Sequence, residues 1–258
     1  MESTKVDNAR AASAESAQAR ALLQLRELIL SGELPGGQRV AELAIVQRLG
    51  LSRTPIRAAL QRLEQEGLLE PLGSGGYVVT SFTESDIFDA IELRGTLEGL
   101  LARRAAERGA ASALLIEARQ CLAKIDQLLS QSSLSDVGWA SYVALNEGFH
   151  ALLTELADSP LIAHQLDRVL GLPFASASAF VVAQANSMHA RDMLIVAQDQ
   201  HHQVLDAISH GEGARAEAIM REHSRLAQRN LRQVLQGEGD QTSTQRVIRL
   251  LRRKGTAR

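Results

Sequence analysis

The sequence predicts a mainly α-helical chain, with an N-terminal winged helix-turn-helix followed by an antiparallel six-helix bundle. Three observations predict it. Apolar residues recur at helical spacing from residue 17 onward. Clusters of Gly, Pro and Ser cut that pattern into segments joined by short breaks. Strand-like alternation is confined to the stretch between Gly67 and Thr80.

Residues 1–16 read as a disordered tail. A helix is expected over about 17–30, with Leu22, Leu25 and Ile29 on one stripe and Ser31-Gly32 as its stop. After the Gly- and Pro-rich turn ELPGGQRV, a short helix spans about 42–49 and ends at Gly50. The next begins at once. Ser52 is its N-cap, Pro55 is tolerated in the first turn, and Leu51 is placed to staple onto Ile56. Two short helices around a Gly turn make a helix-turn-helix candidate. In the second, Ile56, Leu60 and Leu63 face inward, while Thr54, Arg57 and Gln61 face out and Arg53 stands at the N-terminal edge. Arg can pair with guanine or phosphate, Gln with adenine, and a helix N-terminus attracts phosphate. Between Arg39 and Arg62 there are five arginines against one acid, Glu42. Leu68-Leu69-Glu70 and Tyr77-Val78-Val79-Thr80 around PLGSGG then read as a β-hairpin wing.

Residues 81–84 are a linker, with Ser81 or Thr83 capping a helix that runs to about Arg108. Its apolar arc holds Ile87, Ala90, Ile91, Leu93, Leu97, Leu100 and Leu101, and Arg94 and Glu98 fall within it. Two inward charges are costly unless paired or ligand-bound. Either a buried ion pair fixes the helix register, or Arg94 receives an anion in two-pronged fashion. Further helices are expected at about 112–130, 136–157, 160–184, 187–210 and 213–236, completing a domain over 85–237. In the run ASASAF, Ser176 and Ser178 either permit close packing or hydrogen-bond into a cavity. Residues 238–258 form a polar, then basic tail with six cations from Arg246 to Arg258.

The candidate site lies in the bundle. Asn146 and His150 are four residues apart, on a helical face with Trp139, Tyr142, Phe149, Leu153 and Leu156. His201 sits among Leu194, Ala197, Val204, Leu205 and Ile208, and His223 among Ala216, Ile219, Met220, Leu226 and Val234. Three inward imidazoles and one amide either converge on a divalent metal or are core side chains bonded to neighbours. Of the others, His202 lies at the edge of its helix's apolar arc, His164 off the apolar side, and His210 before Gly211 at a helix end.

The net charge of −2 gives no global basic signal, so any nucleic-acid surface is local. The lone Cys121 excludes an intramolecular disulfide. Residues 1–20 lack an apolar signal core, and the uncharged run between Arg168 and Arg191 is too polar for a membrane, so a cytoplasmic location is expected. An enzyme reading, a metallohydrolase with Glu98 or Glu147 as base, is weakened because Glu147 is expected to point away from the His150 face.

GGQRVAELAIVQRLGLSRTPIRAALQRLEQEGLLEPLGSGGYVV resembles the winged helix-turn-helix of GntR-family regulators. The resemblance implies that Ser52, Arg53, Thr54 and Arg57 meet DNA and that Gly75 and Gly76 approach the minor groove from the wing tip. Arg39 and Gln61 complete the expected DNA-binding set. Leu43 stands where relatives often carry a basic residue, and Gly75 where arginine is common. IELRGTLEG, LNEGFHALL and HHQVLDAISHGEGARAEAIMREH resemble the FCD domain of the FadR subfamily, in its six-helix, VanR-like branch. That resemblance implies a divalent metal on Asn146, His150, His201 and His223, with zinc expected first and nickel or manganese as alternatives. It also implies that Arg94 holds an effector carboxylate; Glu98, Tyr142 and Ser178 are expected beside it. Asn146 stands where aspartate is more usual, which removes a negative charge and weakens metal affinity. The combined expectation is a metabolite-responsive repressor that binds double-stranded operator DNA as a homodimer and senses a small carboxylate.

Overall fold

The computed structural model describes residues 17–131, 133–172, 175–178 and 190–235. The predicted tails at 1–16 and 238–258, residues 173–174 and 179–184 of the predicted fourth bundle helix, and residues 187–189 of the predicted fifth lie outside the described residues. The chain divides into two units, one running up to Glu84 and the other beginning at Ser85.

In the first unit, helix α1 (17–30) buries Ala21, Leu25 and Ile29, one turn apart each time. Ala21 takes the place expected for Leu22, which is half-buried. Helix α2 (Glu42–Leu49) ends at Gly50, whose φ of +65° is the left-handed cap that glycine adopts without penalty. Helix α3 (Arg53–Gln65) buries Pro55, Ile56, Ala59, Leu60 and Leu63. Ser52 occupies its N-cap position in extended conformation but makes no side-chain capping bond, so its hydroxyl stays exposed. The wing is β2 (Leu69–Pro71) against β3 (Tyr77–Val79), antiparallel, with Glu70 opposite Val78. A third strand, β1 (Arg39–Val40), pairs with the other edge of β3, giving the order β1-β3-β2. No strand was expected there. Gly76 sits where this edge is tight: at φ +81°, a Cβ would lie 3.0 Å from the Val40 carbonyl oxygen.

The second unit is built from α4 (Glu84–Arg108), α5 (Ser112–Leu129), α6 (Asp136–Leu156), α7 (Pro160–Leu170), α8 (Ala190–Ser209) and α9 (Gly213–Leu235). Ser135 caps α6 by accepting from the Gly138 N–H. The helix predicted over 160–184 stops at Leu170. Gly171 is its C-cap, and Pro173 disfavours helical backbone at Leu172. Residues 176–178 are bend and turn, so Ser176 and Ser178 sit on a loop and not on a helix face. The core joins Leu101, Leu122, Ile125, Tyr142, Phe149, Leu153, Leu166, Val204, Leu205 and Met220. Leu93, expected in the α4 arc, is exposed. α4 lies very close to α9 because Gly95 and Gly99 present no side chain there. A Cβ on Gly95 would stand 2.0 Å from Ser224 Oγ and 2.4 Å from Ser224 Cβ. That close approach brings the Arg94 and Glu98 turns of α4 against the His223 turn of α9. Among the described residues, no helix is long and apolar enough to cross a membrane.

Candidate functional site

Helix α6 supplies Asn146 and His150, α8 His201, α9 His223, and α4 Arg94 and Glu98, all of them buried. One nitrogen from each imidazole lies within 4.8 Å of the other two. The Nε2 atoms of His201 and His223 are 3.2 Å apart.

What orients the rings lies on their outer sides. His150 Nδ1 is 2.8 Å from Glu98 Oε1, His201 Nδ1 3.2 Å from Gln198 Oε1, and His223 Nδ1 3.3 Å from Gln200 Oε1. The Gln198 oxygen is fixed in that role because its amide nitrogen donates to the Leu122 carbonyl and, at 2.7 Å, to Asp126 Oδ1. An oxygen acceptor at each Nδ1 calls for the proton there, which leaves the lone pair on Nε2 facing the centre. Two such lone pairs at 3.2 Å repel unless a cation lies between them. A proton is a poor candidate. Burial first, and then the neighbouring His223 and His150, hold His201 well below the usual histidine range; burial, His150 and Arg94 do the same to His223. A metal fits better, since two nitrogens each about 2.0–2.1 Å from a tetrahedral ion stand ~3.3 Å apart.

Unpaired atoms gather at the same place. Arg94 Nε and Nη1, Glu98 Oε2, Asn146 Oδ1 and His150 Nε2 are buried without a hydrogen bond, five of the eight such atoms among the described residues. Each orphan costs ~1–3 kcal/mol, so their concentration marks a place built to receive something. The Asn146 amide donates to Ser178 Oγ at 3.0 Å, which turns its oxygen away from Ser178. Ser178 is thereby engaged in orienting Asn146. Arg94 Nη1 approaches Glu98 Oε2 at only 3.7 Å, an ion pair without a hydrogen bond. Burial raises the Glu98 carboxyl, but His150 and Arg94 outweigh it and hold it below its usual value. Tyr142 joins Arg94, Asn146 and His223 around a cavity of ≈ 30 Å³, and burial pushes its phenol up, keeping the hydroxyl neutral. On the His150 and Glu98 side lies a larger cavity of ≈ 420 Å³. Glu147 lines it together with His150, against the expectation that it points away: residues three apart on a helix are neighbours.

The expected DNA-facing residues Arg39, Ser52, Arg53, Thr54, Arg57, Gln61, Gly75 and Gly76 are all exposed, on the first unit. Arg57 is held by Glu42 in a two-pronged pair, Nε to Oε2 at 2.9 Å and Nη2 to Oε1 at 3.1 Å. The excess of arginines is smaller than the sequence window suggested. Arg48 pairs with Glu33, and Arg62 with Glu66 at 2.9 Å, acids that lie outside the 39–62 window. Of the five arginines in that window, Arg39 and Arg53 are the two that form no ion pair among the described residues.

Two family matches cover both units. Residues 17–79 match the bacterial regulatory proteins of the gntR family, and residues 89–226 match the FCD domain. The chain belongs to the GntR family. As an FCD-bearing member it is a transcriptional regulator and not an enzyme, as the sequence led us to expect. Its winged helix-turn-helix is the DNA-binding unit. Among relatives, an HTH-type regulator from the TAR-I ttuE-ttuC' intergenic region of Agrobacterium vitis is 32% identical over 138 residues, covering 52% of this chain and 76% of that protein. The repressor RspR of Escherichia coli (strain K12) is 25% identical over 225 residues, covering 84% and 89%. The regulator YdhC of Bacillus subtilis (strain 168) is 27% identical over 146 residues, covering 57% of this chain and 63% of that protein. E. coli McbR/YncC has the same fold, with a TM-score of 0.58 at 18% identity over 86% of this chain and 98% of that one.

Sequence reasoning missed Gln198 and Gln200. Gln198 stands three residues before His201 on the same helix, a spacing that could have raised it as a partner. Gln200 reaches His223 on another helix, and no local pattern announces it.

Proposed function

We propose that this regulator is a repressor whose helical unit holds a divalent metal, zinc first, on His150, His201, His223 and Asn146, and senses a small organic acid there. The observation that carries the reading is the set of three imidazoles whose Nδ1 atoms are all engaged on side-chain oxygens and which bring one nitrogen each within 4.8 Å of the other two. Three nitrogens and an amide oxygen are a donor set suited to zinc or nickel, with manganese less favoured by so much imidazole. The metal would supply a positive centre for an anion. Arg94 supplies the second, with Nε and Nη1 free to take a carboxylate. Tyr142 offers a neutral hydroxyl at the wall of the same small cavity.

The same reading extends to DNA. Arg39 and Arg53 contact phosphate or base, the Ser52 hydroxyl and the α3 N-terminus contact phosphate, and Glu42 fixes the fork of Arg57. Thr54 and Gln61 lie on the base-reading side, and Gly75 and Gly76 let the wing tip approach the minor groove. Two copies reading paired half-sites make a homodimer. Repression is favoured because RspR carries that word in its name. An acid bound at Arg94 needs only ~1–3 kcal/mol of coupling to switch operator affinity usefully.

The test is a thermal melt of the full chain against a panel of small carboxylic acids, with and without chelator. A melt raised by one acid and lost with chelator supports the reading. His150→Ala should abolish that shift while leaving operator binding intact. A melt that drops in chelator and answers to no acid would make the metal structural and remove the sensing role.

A further inference from the structure

The larger cavity beside His150 has a chemistry of its own. Its walls are Ala151, Leu166, Leu170 and Ala177, and no Lys or Arg lines it among the described residues. Four carboxylates do. Glu98 is buried at its inner end, and Glu147, Glu155 and Asp167 are exposed around it. Several other acids of this unit are paired: Glu107, Glu212, Glu217 and Glu222 each meet an arginine. Glu147, Glu155 and Asp167 meet none among the described residues. The α6 register places Glu147, Ala151 and Glu155 on one face, with His150 and Thr154 beside them. One fully buried side chain of the lining, Glu98, keeps an oxygen, Oε2, without a hydrogen bond. The carboxylates are not spaced to share a metal ion: the three histidines are the one group with metal-ligand spacing among the described residues.

An apolar chamber of ≈ 420 Å³ ringed by unpaired carboxylates matches an organic cation, which buries its carbon skeleton and leaves its charge at the rim. We propose that this chamber binds an alkyl or aryl ammonium group, so that the effector carries an amine besides its carboxylate. This rests on the reading of the bundle as an effector-binding domain and adds the chemistry of the effector's other end.

The test uses three six-carbon probes, n-hexylamine, n-hexanol and hexanoate, titrated into the full chain by calorimetry with chelator present, so that an amine cannot act by ligating metal. The wild type should bind hexylamine about tenfold more tightly than hexanol, and added salt should narrow the gap. The variant Glu147→Gln/Glu155→Gln/Asp167→Asn changes exposed side chains only. It should lose the preference for amine and keep the affinity for hexanol. Equal binding of hexanol or hexanoate, no binding of hexylamine, or a preference that survives in the variant would each overturn the proposal. The carboxylate panel with and without chelator is read separately. A lost acid response with a retained amine preference would refute the metal-assisted acid sensor and leave the ammonium chamber standing.

Discussion

The ion pair between Arg94 and Glu98 can be tested by a double-mutant cycle. Both side chains are at most 2% exposed, and their closest approach of 3.7 Å is longer than a hydrogen bond. Glu98 also accepts from His150 Nδ1 at 2.8 Å. Replacing Glu98 by Ala therefore strands a buried guanidinium, at ~3–5 kcal/mol, and an imidazole N–H, at ~1–3 kcal/mol. The sum is comparable with the whole stability of an ordinary domain, ~5–15 kcal/mol. Glu98→Gln keeps an acceptor for His150 and should lose only the first contribution. Arg94→Met/Glu98→Leu removes both charges and fills the space, leaving chiefly the His150 N–H unpaired, so it should cost no more than ~3 kcal/mol. Urea unfolding in chelator, followed by fluorescence, reports on this unit alone, because the single tryptophan, Trp139, lies on α6. Glu98→Ala costing under ~1 kcal/mol, or a double variant costing the sum of the two single ones, would refute the reasoning, because the pair would then not be a desolvated, mutually compensating one.

Three further outcomes are expected. Gly95→Ala drives a Cβ to 2.4 Å from Ser224 Cβ, which the backbone fixes, so α4 and α9 must separate. Overpacking of ~1–3 kcal/mol should exceed the ~1 kcal/mol gained in helix propensity, whereas Gly148→Ala, with nothing within 4 Å of its Cβ, should stabilise; urea midpoints decide. Arg53→Ala should weaken operator binding and lower the salt slope by about one if the contact is to phosphate, or relax preference at one base pair if it is to a base edge, as a salt titration over operator variants would separate. In chelator, stability should fall as pH drops from about 7 toward 5. His201 and His223 are held neutral in the fold while the unfolded chain takes protons near pH ~6.5, at up to ~1.4 kcal/mol per pH unit for each. Glu98, lowered in the fold, adds a loss of the same sign only below about pH 4.5; flat or rising stability between pH 7 and 5 would contradict the burial of the neutral rings.

The parts of this protein that were legible in its sequence are those encoded within one helix. Gly50, Ser52 and Pro55 punctuate α2 and α3 through backbone preference alone, and the stripe of Ile56, Leu60 and Leu63 is a matter of register. The same register placed Asn146 and His150 on one inward face and set His201 and His223 inward on theirs. What a helix wheel cannot say is which neighbour meets which side chain. The bonds from Gln198 to Asp126 and from Gln200 to His223 cross between helices, as does the hold of Glu42 on Arg57. Strand β1 has two residues, too few to show alternation, and exists because β3 offers it an edge. The early end of α7 was readable at Gly171 and Pro173 but was outweighed by the apolar run beyond them.

Charge at the centre carries the last consequence. Two of its three imidazoles are held neutral by burial, Asn146 is neutral, and Arg94 and Glu98 cancel each other formally. On the proposed reading, these residues would surround a divalent ion with no anion in direct contact, and uncompensated buried charge is expensive. A carboxylate bound at Arg94 would relieve that cost, so metal and acid should each tighten the other by the same factor. Asn146→Asp tests this. It places an anion where the amide oxygen now lies unpaired, so metal affinity without effector should rise by about tenfold or more, and the benefit of added carboxylate should shrink correspondingly. Zinc titrations of both proteins by calorimetry, with and without the acid found in the melt panel, give all four affinities. If the aspartate variant binds metal no better, or gains as much from the acid as the wild type does, charge compensation is not what couples the two ligands.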